Sequence, residues 1–268
     1  MPELPEVETI ARQLAPLIEG RRVRSVRVLD PLIDARPTTA LVGRRVEQVR
    51  RLGKQVVLDL AGLWVAIHLR MTGRLIWRET SPGQGRGLIA RDHLRAWLGL
   101  TGGRLAFHDT RRFGTLRVVD SLDAIQPPGA DPLATSFTLS VLADLLQGSS
   151  QPIKVWLLRQ DRITGLGNIY ASEILFEGGI DPRKPAGSLR PDRVARLHRV
   201  MRQVLTRAIK SCGTTFSDFQ DAHGLTGSYQ GCLCVYGREG ESCPRCGAQV
   251  RRLVQQQRST FYCGRCQR

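Results

Sequence analysis

The sequence predicts an α+β protein: an antiparallel β-sandwich with an N-terminal helix, then a helical domain, then a small cysteine-rich hairpin. Three observations predict it. Short strand-like runs punctuated by glycines fill residues 23–119, the pattern of an antiparallel sandwich. Beyond Gln126-Pro127-Pro128-Gly129-Ala130-Asp131-Pro132, which can neither pair nor coil, the apolar period becomes helical. Two Cys-x-x-Cys pairs close the chain.

The elements follow in order. Over residues 3–17 the apolar Val7, Ile10, Leu14 and Leu17 recur at helical spacing, and Gly20 ends that helix. Strands are expected at 23–29, 45–49, 56–60, 63–69, 94–100, 105–107 and 115–119, separated by Gly43, Gly53, Gly62, Gly102-Gly103 and Gly114. Residues 81–87, Ser-Pro-Gly-Gln-Gly-Arg-Gly, read as a surface loop. Helices are expected at 139–146, 152–159, 168–176 and 190–211, with Pro191 suited to a first turn. The resulting boundaries are 1–125 for the sandwich, 126–134 for a linker, 135–228 for the helical domain and 229–268 for the finger.

Cys243-Pro244-Arg245-Cys246 and Cys263-Gly264-Arg265-Cys266 lie 16 residues apart. That spacing fits a tetrahedral four-cysteine zinc site built from two tight turns at the ends of a hairpin. All four ligands are thiolates, so no position is open to water and the one Zn2+ is structural. Cys212, Cys232 and Cys234 are left over. They are expected to be reduced and partly buried, with Cys232 and Cys234 alternating in a strand-like run.

Forty Lys and Arg face 24 Asp and Glu, a formal charge of +16 over 268 residues. Such an excess calls for a polyanionic partner, nucleic acid first. A membrane surface is the rival, but no apolar stretch reaches the roughly 18 residues of a spanning helix. The acidic N-terminus lacks a signal-peptide layout, so the chain is expected to be cytoplasmic.

The first residues, Met1-Pro2-Glu3-Leu4-Pro5-Glu6-Val7-Glu8, carry the sharpest chemical signal. Pro2 is small enough for Met1 to be removed, which would leave a secondary amine. An α-amino group has a pKa of about 7.7–8.0 against about 10.4 for lysine, so much more of it is neutral and nucleophilic near pH 7. Attack by a secondary amine on an aldehydic carbon gives an iminium ion, a fixed positive charge that serves as an electron sink. Proline and acidic residues also suit an ordinary first turn, and the terminus alone favours that plainer reading.

Several blocks reverse the balance. Pro2-Glu3-Leu4-Pro5-Glu6-Val7-Glu8-Thr9, His68-Leu69-Arg70-Met71-Thr72-Gly73, Asp109-Thr110-Arg111-Arg112-Phe113-Gly114, Gly165-Leu166-Gly167-Asn168-Ile169-Tyr170-Ala171-Ser172-Glu173 and Gln257-Arg258-Ser259-Thr260-Phe261-Tyr262-Cys263 stand in that order. Together they resemble the formamidopyrimidine-DNA glycosylase family over essentially the whole chain. The sister group that acts mainly on oxidised pyrimidines usually has glycine where Leu4 stands, so the resemblance favours the purine branch.

The resemblance implies a helix–two-turns–helix in the helical domain, with DNA in a cleft between the halves. It implies a bacterial, nucleoid-associated monomer of base excision repair, whose partner is double-stranded DNA containing oxidised bases or abasic sites. The implied activity is bifunctional: excision of 8-oxoguanine and formamidopyrimidines, then strand cleavage by β,δ-elimination. Pro2 would be the nucleophile and Glu3 the general acid/base. Glu6 would position Glu3 or a water. Lys54 would approach the lesion and its phosphate, and Arg258 would hold a phosphate and assist δ-elimination.

Met71, Arg111 and Phe113 would fill the stack vacated by a flipped nucleotide. Asn168, whose residue type also suits an N-cap, would hold a phosphate beside the glycine turn. His93 and Lys154 match DNA-contacting positions. Ser149 stands where the family often has lysine, so one backbone contact of the family is not matched. The segment 214–230 matches one that closes over 8-oxoguanine in the family. Two rival functions remain at this stage: a non-catalytic zinc-finger DNA-binding protein, which has no need of Pro2 beside Glu3, and a pyrimidine-preferring glycosylase with the same chemistry.

Overall fold

The computed structural model describes residues 2–33, 38–80, 92–214, 222 and 227–268. The loop expected at 81–87, and most of 214–230, lie outside these. The chain forms two compact units. One comprises residues 1–126 and 211–230, the other 127–210 and 231–268.

In the first unit, helix α1 (Leu4–Ile18) begins with two prolines and two glutamates in and around its first turn. The Glu6 carboxylate reaches back to accept the Glu3 N–H at 2.8 Å, closing the N-terminus from within. Val7, Ile10, Ala11, Leu14 and Ile18 form its buried stripe, while Leu17 is only partly covered.

Eight antiparallel strands make two four-stranded sheets. The strands are β1 (Val23–Val28), β2 (Gln48–Leu52), β3 (Gln55–Asp59), β4 (Trp64–His68), β5 (Gly73–Glu79), β6 (Leu94–Leu100), β7 (Gly103–Asp109) and β8 (Thr115–Val119). Their orders are β1-β6-β7-β5 and β2-β3-β4-β8. Val56, Leu58 and Ile67 from one sheet meet Leu98, Leu105 and Phe107 from the other and the α1 stripe in a single core. Alternation places these residues inward, as a half-buried sheet requires.

Three differences separate the strands from those expected. Strand β5 has no counterpart in the sequence pattern, yet it pairs with β7 along its whole length, from Gly73↔Asp109 to Glu79↔Gly103. Strand β2 starts at Gln48, because Arg45 makes only an isolated bridge to Arg22. Strand β7 extends the expected 105–107 at both ends.

The second unit holds α2 (Leu139–Leu146), α3 (Ile153–Leu157), α4 (Asn168–Gly178) and α5 (Pro191–Lys210). Thr138 caps α2 through its hydroxyl, which accepts from the Val141 N–H at 3.3 Å. Helix α5 opens on Pro191, in agreement with the sequence, and buries Val194, Leu197, Met201, Val204, Leu205 and Ala208 along one face. Helix α4 is buried on nearly every side, which explains its lack of an apolar stripe. Strands β9 (Arg251–Gln255) and β10 (Arg258–Tyr262) form the terminal hairpin.

Cys232 and Cys234 do not lie in a strand. The N–H groups of Cys234, Val235 and Tyr236 turn instead onto the carboxylate of Glu173, at 2.9, 3.0 and 2.8 Å. Among the described residues, no helix is long and apolar enough to cross a membrane.

Candidate nucleic-acid interface and metal centre

Pro2, Glu3 and Glu6 are all buried at the start of α1. Glu6 accepts hydrogen bonds from Glu3 N, from Thr214 N at 2.7 Å and from the Thr214 hydroxyl at 3.0 Å. Glu6 thereby ties the Glu3 backbone to Thr214. Gly213, at φ +75°, lies so close that an added Cβ would sit 2.6 Å from Glu6 Oε1. Only glycine fits both that backbone and that space.

Lys54 follows Gly53 in the two-residue β2–β3 turn, partly exposed. Gln55 pairs with His68, so the lysine and the imidazole share one end of that sheet. Burial, with Arg70 and Lys54 nearby, pushes His68 down to about 4. Its neutral Nδ1 accepts the Arg70 N–H at 3.0 Å, which leaves the proton on Nε2.

Met71 and Phe113 are exposed, at 44% and 52%, at the tips of two adjacent loops. Arg111 joins them: its Nη1 lies 3.3 Å from Met71 Sδ, and its guanidinium stacks 4.9 Å from the Phe113 ring. The structure thus gathers the three residues expected to fill a stack. The loops are tied at their base by Thr72, whose hydroxyl donates to Asp109.

His93 is exposed, in a left-handed conformation at φ +60°, and its carbonyl accepts the Asp109 N–H at 2.9 Å. It borders a cavity of about 240 Å³ lined also by Arg74, Arg78, Asp92 and His108.

The remaining expected contacts lie in the second unit. Asn168 is the first helical residue of α4 rather than its cap, a place taken by Gly167. Its amide Nδ2 donates to the Ser259 carbonyl at 2.9 Å. Lys154, expected at the surface, is 0% exposed. Its Nζ donates to the same Ser259 carbonyl at 3.0 Å and to the Thr260 hydroxyl at 2.8 Å. An ammonium buried among oxygens thus holds strand β10 in place. Arg258 is exposed at the first position of β10, after a turn in which Gln256 and Gln257 both have positive φ.

The thiols of Cys243, Cys246, Cys263 and Cys266 all lie within 4.8 Å of one another, with Cys246–Cys263 at 3.5 Å and Cys243–Cys266 at 3.9 Å. Tetrahedral Zn–S bonds of about 2.3 Å require sulfur separations of about 3.8 Å. The four cysteines therefore fit one structural zinc. Burial and the Glu173 carboxylate push the Cys234 thiol up to about 11.

Sequence reasoning passes over His68, Thr72, Asp109, Glu173 and Thr214 as functional residues. The first four stand inside the motifs quoted above. The partners of Thr72, Glu173 and Thr214 lie far along the chain, so spacing alone does not reveal them.

Comparison with known proteins matches the chain in three segments. Residues 1–116 match the model of the formamidopyrimidine-DNA glycosylase N-terminal domain, 129–220 that of the formamidopyrimidine-DNA glycosylase H2TH domain, and 240–268 that of the zinc finger found in FPG and IleRS. The formamidopyrimidine-DNA glycosylase of Chloroflexus aurantiacus is 41% identical over 100% of this chain and 98% of its own. That of Moorella thermoacetica is 43% identical over 94% of each. The crystal structure of the MutM (FPG) protein from Thermus thermophilus superposes with a TM-score of 0.86 at 40% identity, covering 99% of this chain and 98% of that one. A complex between the Lactococcus lactis Fpg and an abasic site containing DNA superposes at 0.85 and 29% identity, covering 99% of each.

Proposed function

The chain belongs to the formamidopyrimidine-DNA glycosylase family, and from that premise we propose that it excises oxidised purines from duplex DNA and then cleaves the strand. The observation that carries the reading is the buried Pro2-Glu3 pair, whose backbone is fixed by Glu6. A solvent-exposed first turn would not need such support.

The chemistry runs through the amine of Pro2 once Met1 is removed. Its lone pair attacks C1′ of the damaged nucleotide, and the base leaves with the electrons of the glycosidic bond. Glu3 moves the protons around the sugar that this displacement requires. The nitrogen then gives up its proton and its lone pair expels O4′ from C1′, opening the sugar ring as Glu3 protonates O4′; the iminium so formed withdraws electrons from C2′, whose proton is then lost. β-Elimination breaks the 3′ C–O bond, and δ-elimination breaks the 5′ bond with Arg258 holding the phosphate. Lys54, at the β2–β3 turn, supplies positive charge toward the lesion and its phosphate.

The zinc contributes folding energy to the terminal hairpin, and Cys243, Cys246, Cys263 and Cys266 hold it. Met71, Arg111 and Phe113 occupy the space left by the flipped nucleotide: methionine adapts, phenylalanine wedges and arginine donates to the orphaned base. His93 and Asn168 contact the sugar-phosphate backbone.

A panel of duplexes containing 8-oxoguanine, formamidopyrimidine or 5-hydroxycytosine tests the substrate class. Preferential excision of the two purine lesions is expected. Preference for 5-hydroxycytosine would move the chain to the pyrimidine side, and binding without excision of any lesion would leave only a binding protein.

A further inference from the structure

We propose that Thr72 and Asp109 are positioning residues for stack filling, locking the loops that bear Met71, Arg111 and Phe113 into one preassembled wedge. The inference rests on the void-filling reading of those three residues and adds what holds them.

The geometry converges on one carboxylate. Asp109 ends β7 and is 1% exposed. Its Oδ1 accepts the Thr72 hydroxyl and the Arg111 N–H, the latter at 3.2 Å. Its Oδ2 accepts the Gly114 N–H at 2.6 Å. The same side chain therefore grips both ends of the tip that carries Arg111 and Phe113. Thr72 sits in the neighbouring loop immediately after Met71, and its oxygen also accepts the Arg111 N–H at 3.2 Å. One hydroxyl thus joins the Met71 loop to the Arg111–Phe113 loop.

The packing leaves this clamp little slack. A Cβ on Gly114 would lie 2.6 Å from the Phe107 ring, and one on Gly73 would collide with the Leu69 carbonyl. Arg112 is drawn away from the tip. Its φ is +60°, and its Nη2 donates at 2.7 Å to buried Asp30, which also pairs with Arg95. Of the two adjacent arginines, Arg111 is the one left facing Met71 and Phe113. Exposed apolar side chains on loose loops would lose conformational freedom on entering a base stack. Loops held in place beforehand lose less, and binding gains the difference.

The test compares T72V, T72S and D109N with the M71A/R111A/F113A variant. Each is assayed in single turnover on a lesion duplex and on a preformed abasic duplex. Fluorescence of a 2-aminopurine beside the lesion reports filling of the stack. T72V keeps the shape of the side chain and loses the hydroxyl. It should lower lesion excision on the order of tenfold, the effect of one buried hydrogen bond. Abasic-site cleavage should stay within about twofold, with a weakened fluorescence change. T72S should restore all three, and D109N should follow T72V. Should D109N fail to fold, the T72V and T72S pair still decides. If the triple variant shifts the ratio of lesion to abasic activity while T72V leaves it unchanged, or lowers both activities equally, the clamp is refuted and the void-filling reading stands. If the triple variant itself leaves the ratio unchanged, the void-filling reading is the one that fails.

Discussion

Glu6 shows what a single residue contributes here. A carboxylate at 1% exposure, accepting from the backbone of Glu3 and from Thr214, links the first turn of α1 to a segment 208 positions later. Glu6→Gln keeps the size but turns an acceptor into a donor on one side. It should lower lesion excision at least tenfold and stability by about 1–3 kcal/mol, read from single-turnover rates and urea melts. Unchanged excision would remove Glu6 from the positioning of Glu3.

His68 offers a pH test. Its folded pKa of about 4 lies below the ordinary imidazole value of 6.5, so the unfolded chain binds more protons between the two. Its contribution to stability is therefore full above about pH 6.5 and is lost as pH falls toward 4. An NMR titration should find the His68 midpoint near 4, and a midpoint at or above 6.5 would contradict its burial as a neutral ring. At this scale the sequence names most of the candidate residues but not their exposure. Lysines are rarely buried, so nothing local marks Lys154 as the strut it is.

At the scale of elements, legibility tracks local signal. Helix α5 carries a long apolar stripe and an opening proline, and its ends fall within a residue of expectation. Strand β5 carries Leu75 and Trp77 inward with Arg74 and Arg78 outward, but its opening Gly73 also ends the preceding motif, which masks where the strand begins. The 232–234 run alternates like a strand, yet Glu173 from the buried side of α4 takes the N–H groups that a ladder would use. The finger is the clearest element, because metal spacing is a strict constraint. Cys246→Ser should release zinc and disorder β9 and β10, and so misplace Arg258. DNA binding should fall sharply while the sandwich keeps its own melting transition, as metal analysis and calorimetry would show. Zinc-free wild-type protein with an ordered hairpin would overturn this account.

At the scale of the whole molecule, composition points to nucleic acid before any motif does, through an excess of 16 positive charges. The division of the chain is only partly legible. The proline-rich stretch marks the first crossing at 126–127, but the return of residues 211–230 to the first unit has no compositional sign. It depends on single contacts such as Thr214 with Glu6. The central claim is that the whole protein works through the amine of Pro2, and borohydride trapping tests it most directly. Protein beginning at Pro2, mixed with 8-oxoguanine duplex and reduced, should form a covalent adduct that mass mapping places on Pro2. The same protein with its terminus blocked by a retained tag should bind DNA and form none. A blocked protein that is trapped in full yield would contradict the claim.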